Sequence, residues 1–207
     1  MPRPRSPLTF FVVLLVSIAL LATFGPAEAS LGAHARIVYL HGAWVWTALA
    51  ALGASGIAGV AGLVLRSRRI QEWSVALGQA GVFFWITYLP LSLWAMQANW
   101  NGLFLDEPRW RLGLNFAVAG LLVQSGILVL GKPGWASLFN ILFAVSLAGS
   151  LARAEAVMHP ASPITSSGSG LIQSFFLALL AACLLACWLL VRWLLAQWAQ
   201  SRREPAA

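Results

Sequence analysis

Three histidines interrupt an otherwise apolar chain of 207 residues: His34, His41 and His159. Between the second and third lies the segment WAMQANWNGLFLDEPRWR, which carries Trp94, Trp100 and Trp110 together with Asp106, Glu107, Arg109 and Arg111. A neutral imidazole is a good axial ligand for iron, and two on opposite faces saturate the metal. Indole rings offer broad flat surfaces, and arginine guanidiniums pair with carboxylates through forked hydrogen bonds. These are suitable parts for holding a flat, apolar, iron-containing ligand with carboxylate arms, which describes haem. His41 and Trp44 are three apart and share one face of a helix.

Each residue also has a plainer use. Trp and Tyr collect at membrane interfaces as anchors, and Trp73, Trp193 and Trp198 fit that role at the opposite side. A histidine near a helix end commonly serves as a hydrogen-bonded surface residue. Asp106 and Glu107 before Pro108 read as turn chemistry and a helix start, and Arg109 and Arg111 can contact lipid phosphates. His34 and His41 are seven apart with no carboxylate at a ligand-like spacing, which disfavours a metal-dependent hydrolase. Cys183 and Cys187, four apart on one helix, are badly placed to pair and read as small packing residues. No CxxCH occurs, so the chain is no obvious c-type haem carrier itself.

The elements that position these residues follow from composition. Hydrophobic residues make up 60% of the chain and charged residues 9%, against roughly a quarter charged in a soluble domain. The net charge of +7 is spread as single arginines between apolar stretches, so it makes no nucleic-acid surface. A helix needs about 20 apolar residues to cross a hydrocarbon core of roughly 30 Å. Six stretches qualify, about 8–24, 38–65, 74–96, 112–130, 135–151 and 171–195. The expected fold is an all-α, polytopic membrane bundle forming a single domain over 1–207, with no alternation of the β-barrel kind.

Basic residues orient it. With the N-terminus inside, Arg3, Arg5, Arg66, Arg68, Arg69, Lys132, Arg192, Arg202 and Arg203 share the inner side, and only Arg36, Arg109, Arg111 and Arg153 lie outside. Both termini are then cytoplasmic. The outer loops are 25–37, 97–111 and 152–170, and all three histidines fall at that face. Residues 1–29 have the outline of a signal peptide, but their apolar centre exceeds the usual length, so an uncleaved first helix is expected.

The run Arg36-Ile37-Val38-Tyr39-Leu40-His41-Gly42-Ala43-Trp44 resembles the start of the second helix in the cytochrome c assembly family of haem-handling membrane proteins (CcmC/CcsA type). Met158-His159-Pro160-Ala161-Ser162-Pro163-Ile164 is similar to that family's second histidine motif. Trp94, Trp100, Asp106 and Arg109 stand where the family has its tryptophan-rich WWD segment, although Leu103-Phe104-Leu105 replaces the paired tryptophans. The resemblance implies a carrier rather than an enzyme, in the bacterial inner membrane. His41 and His159 would be axial ligands of haem b, with Trp44, Trp94, Trp100 and Asp106 as its platform and Arg109 or Arg111 at the propionates. The implied partners are the lipid bilayer, a periplasmic haem chaperone and other membrane subunits of cytochrome c maturation. The alternative is a cofactor-free small permease or membrane scaffold subunit. A b-type electron-transfer cytochrome fits less well, because no span has a histidine near its centre.

Overall fold

The computed structural model describes residues 6–155, 164 and 167–201. It contains six helices: α1 (Pro7–Thr23), α2 (Ala35–Val64), α3 (Arg68–Trp100), α4 (Pro108–Leu130), α5 (Pro133–Arg153) and α6 (Gly170–Ser201). Local chemistry sets their ends. The Ser6 hydroxyl caps α1 by accepting from the Thr9 amide at 3.4 Å. Pro7, Pro108 and Pro133 open α1, α4 and α5, where a missing N–H is no loss. α4 stops at Gly131 (φ 60°) and α3 at Asn101 (φ 53°), two residue types that tolerate the left-handed region. Arg66 holds the same conformation (φ 49°) in the α2–α3 turn, at a strain of roughly 1–2 kcal/mol.

Helices α2 to α6 are long and apolar enough to cross a bilayer, and α1 is a shorter apolar helix. Large apolar side chains cover the outside: Leu122 is 69% exposed and Val129 88%. Hydrocarbon suits such a surface and water does not. The chain is an all-α, multi-pass membrane bundle.

The helices outrun the apolar spans read from sequence. α3 runs over 68–100 rather than 74–96, α2 begins at 35 rather than 38, α4 at 108 rather than 112, and α6 continues to 201 rather than 195. At 33 residues α3 is about 50 Å long, well beyond the hydrocarbon core. Its polar end turns stay helical in the interface, where hydropathy carries no signal. The connections at the histidine end shrink accordingly, to 24–34, 101–107 and 154–169.

α2 and α3 form the centre of the bundle, with α4 and α5 against one side, α6 against the other, and α1 laid on α6. Close approach depends on glycines, Gly59 and Gly78 among them. A Cβ at Gly59 would sit 2.9 Å from the Ser137 carbonyl oxygen, and one at Gly78 would sit 2.8 Å from Asn140 Oδ1. Uncharged polar side chains knit the same level, near the end remote from the histidines. Gln124 Nε2 donates to Asn140 Oδ1 (2.9 Å), Asn140 Nδ2 to the Ser74 carbonyl (3.0 Å), and Ser74 and Ser55 hydroxyls to each other's carbonyls (2.8 and 2.7 Å). Cys183 and Cys187 are free thiols of α6 buried in the core.

Candidate functional site

His41 lies on α2 about 9 Å along the helix axis from Ala35, half-buried. Its ring centroid is 5.8 Å from that of Tyr88 on α3, tilted by 53°. The Tyr88 hydroxyl fills the space beside Gly113 on α4. Trp85, one turn earlier on α3, packs edge-on to Tyr88 at 4.9 Å and donates its indole N–H to the Gly113 carbonyl at 3.0 Å. Three helices therefore meet around the His41 ring through Tyr88.

His159 lies outside the described residues. The chain is described again at Ile164, five residues later, which packs against the main core. Its Cδ1 lies 3.8 Å from where a Cβ would sit on Gly42, the residue next to His41. The last connection of the histidine end thus returns to α2 at the level of His41.

The tryptophans are spread rather than gathered. Trp44 is 9% exposed, stacks obliquely on Phe84 at 4.7 Å, and donates its N–H to the Thr87 hydroxyl at 2.8 Å. It bolts α2 to α3 just beneath His41. Trp94 is 62% exposed, turned away from the face of α3 that buries Tyr88, Ser92 and Met96. Trp100 packs against Phe104, centroids 5.8 Å apart. Because both belong to α3, six residues apart, Trp94 and Trp100 point roughly 120° apart and form no single flat surface on that helix. Asp106 forms an exposed ion pair with Arg111, and Arg109 is exposed.

One contributor escaped the sequence reading, and two residues that it named are more enclosed than it expected. Tyr88 is the aromatic neighbour of His41. Glu107, read as turn chemistry, is 3% exposed. Trp110 has its indole nitrogen enclosed without a hydrogen-bond partner among the described residues. The signal was available in α4, where Glu107, Trp110, Gly113, Ala117, Gly120 and Gln124 recur at three- and four-residue spacing. That is one helical stripe, and it faces inward.

The first loop is fastened to the same end. His34 Nδ1 donates to the Ala98 carbonyl on α3, fixing the proton on that nitrogen. Arg36 Nε donates to the Gly25 carbonyl at 2.9 Å. Glu28 accepts from the Ser30 hydroxyl (2.5 Å) and from the amides of Ser30 (2.8 Å) and Leu31 (2.9 Å). The Ser30 hydroxyl first, and then these amides, hold its carboxyl below its ordinary value.

No family model matches the chain, and no curated protein is significantly similar to it in sequence.

Proposed function

We propose that the chain is a haem-handling protein of cytochrome c maturation, which holds haem at the histidine end and presents it to a periplasmic haem chaperone. In this reading haem is cargo, and no substrate is turned over. The histidine end faces out of the bacterial cytoplasm, with both termini inside. The observation that carries the reading is the contact of Ile164 with the Gly42 position. Five residues of chain span at most about 18 Å, so the tether between His159 and the neighbour of His41 is short. Iron is ligated by two imidazoles from elements far apart in sequence.

The fit of the surroundings is uneven. A half-buried imidazole against an aromatic ring suits an axial ligand at the bundle's rim, and the enclosed indole N–H of Trp110 is a donor suited to a carboxylate. Trp44 is engaged in helix packing, so in this reading it sets the height and angle of His41 rather than stacking on the porphyrin. Trp94, Trp100 and Arg109 remain at the rim, where they meet the outer edge of the ligand.

Haem titration into detergent-purified protein tests this directly. Wild type should give the red-shifted, six-coordinate Soret spectrum of a bis-histidine complex, and His41→Ala and His159→Ala should each abolish it. A wild-type spectrum identical to that of free haem, or variants that retain the complex, would overturn the reading. The rival, a cofactor-free permease or scaffold subunit, is favoured by one observation: the amides of Gln124 and Asn140 buried between α3, α4 and α5. It predicts that both histidine variants behave as wild type.

A further inference from the structure

We infer that a phospholipid with an ethanolamine headgroup is seated between the histidine-end tips of α4 and α5. Two adjoining open grooves lie there, with accessible volumes of about 470 and 420 Å³, sharing Pro108, Leu112 and Ser150. Ligand pockets are typically of roughly 300–1,000 Å³. The lining changes character with depth. Leu112 and Phe116 form an apolar wall toward the middle of the membrane, while Arg111, Arg153, Asp106 and Glu155 stand at the mouth.

The four charges sum to zero, two guanidiniums against two carboxylates, as do those of an ethanolamine phospholipid. A phosphodiester accepts the forked donors of arginine, and a primary ammonium donates to carboxylates. Asp106 and Arg111 are already paired, whereas Arg153 makes no ion pair among the described residues. Arg153 therefore takes the phosphate and Glu155 the ammonium, with Ser150 and Asn115 adding neutral hydrogen-bonding groups. A headgroup with net negative charge would occupy Arg153 and leave Glu155 without a counter-charge. A quaternary choline ammonium has no N–H to donate. Below the grooves the exposed faces of both helices are apolar, Val118 being 52% and Val145 66% exposed, so acyl chains remain in hydrocarbon.

Delipidated protein in detergent, mixed with equal amounts of phosphatidylethanolamine, phosphatidylcholine and phosphatidylglycerol, can be weighed intact by native mass spectrometry. The ethanolamine lipid should dominate the bound population by about tenfold, which corresponds to 1.4 kcal/mol. Arg153→Ala should lower that adduct about tenfold, and Glu155→Gln should erase the preference for ethanolamine over choline. Equal adducts for all three lipids in wild type would overturn the proposal, as would an undiminished adduct in Arg153→Ala. Saturable binding of soluble glycerophosphoethanolamine in place of the lipid would also overturn it. If Arg153→Ala is not monodisperse on gel filtration, Glu155→Gln decides alone: loss of the preference supports the site, and its retention sinks it. Neither residue belongs to the haem reading, so the two proposals fail separately.

Discussion

Gly113 has no side chain, and the Tyr88 hydroxyl occupies the place where one would begin. A methyl group there must displace Tyr88, whose ring lies 5.8 Å from that of His41. Overpacking of this kind costs about 1–3 kcal/mol. Gly113→Ala should therefore lower thermal stability in detergent by that amount, and Gly113→Ala/Tyr88→Phe, which removes the hydroxyl but leaves the ring carbon 2.8 Å from the methyl position, should recover part of it. If the double variant is no more stable than the single, Tyr88 is not what the methyl meets. A second residue-scale expectation concerns acid. Glu28 binds its proton less readily folded than unfolded, where the ordinary value is 4.5. The turn's contribution is thus complete above that value and is lost as pH falls through the lower folded one. Amide exchange at Ser30 and Leu31, corrected for its intrinsic pH dependence, should lose protection on acidification in wild type and show no such titration in Glu28→Gln. At this scale the sequence was legible for residue types but not for direction. His41 lies within two turns of the start of α2, as its place in the sequence implied, yet Trp94 and Trp44 could not be told apart as outward and inward without the packing of α3.

Helices lying in hydrocarbon gain nothing from burying apolar surface against one another, so close packing and polar contacts decide which neighbours they take. The lattice of Ser55, Ser74, Gln124 and Asn140 joins α2, α3, α4 and α5, and Gly59 and Gly78 make room for it. Asn140→Leu would strand the Gln124 amide N–H away from water while the Ser74 carbonyl keeps the Ser55 hydroxyl, a loss of about 1–3 kcal/mol. Denaturant titration in mixed micelles should show a destabilisation of that size, and an unchanged midpoint would mean the lattice contributes no stability. Hydropathy revealed the six apolar stretches because length and composition alone specify a span. It missed their true ends, since the outer turns of α3 are polar and helical at once, and it missed the lattice, since isolated Ser and Asn barely lower a window average. What looked like a tryptophan-rich loop is in large part the last two turns of a helix, and that difference redirects two of its indoles.

Among the described residues, Arg66, Arg68, Arg69, Lys132 and Arg192 lie toward one end of the bundle and Arg36, Arg109, Arg111 and Arg153 at the other, and the sequence adds Arg3, Arg5, Arg202 and Arg203 to the first group. Positive residues favour the cytoplasm, so Leu103→Cys should react with a membrane-impermeant maleimide on intact cells and Arg69→Cys only after permeabilisation. The reverse pattern would invert the proposed topology. Native Cys183 and Cys187, 0% and 5% exposed, should leave no background. The left-handed turn at Arg66 (φ 49°) has a consequence under that proposed topology. A glycine would fit the backbone there with less strain, but it would carry no charge to keep the α2–α3 hairpin from crossing. In the proposed topology, then, the position would be held by a residue second best for the backbone and better for keeping that hairpin inside.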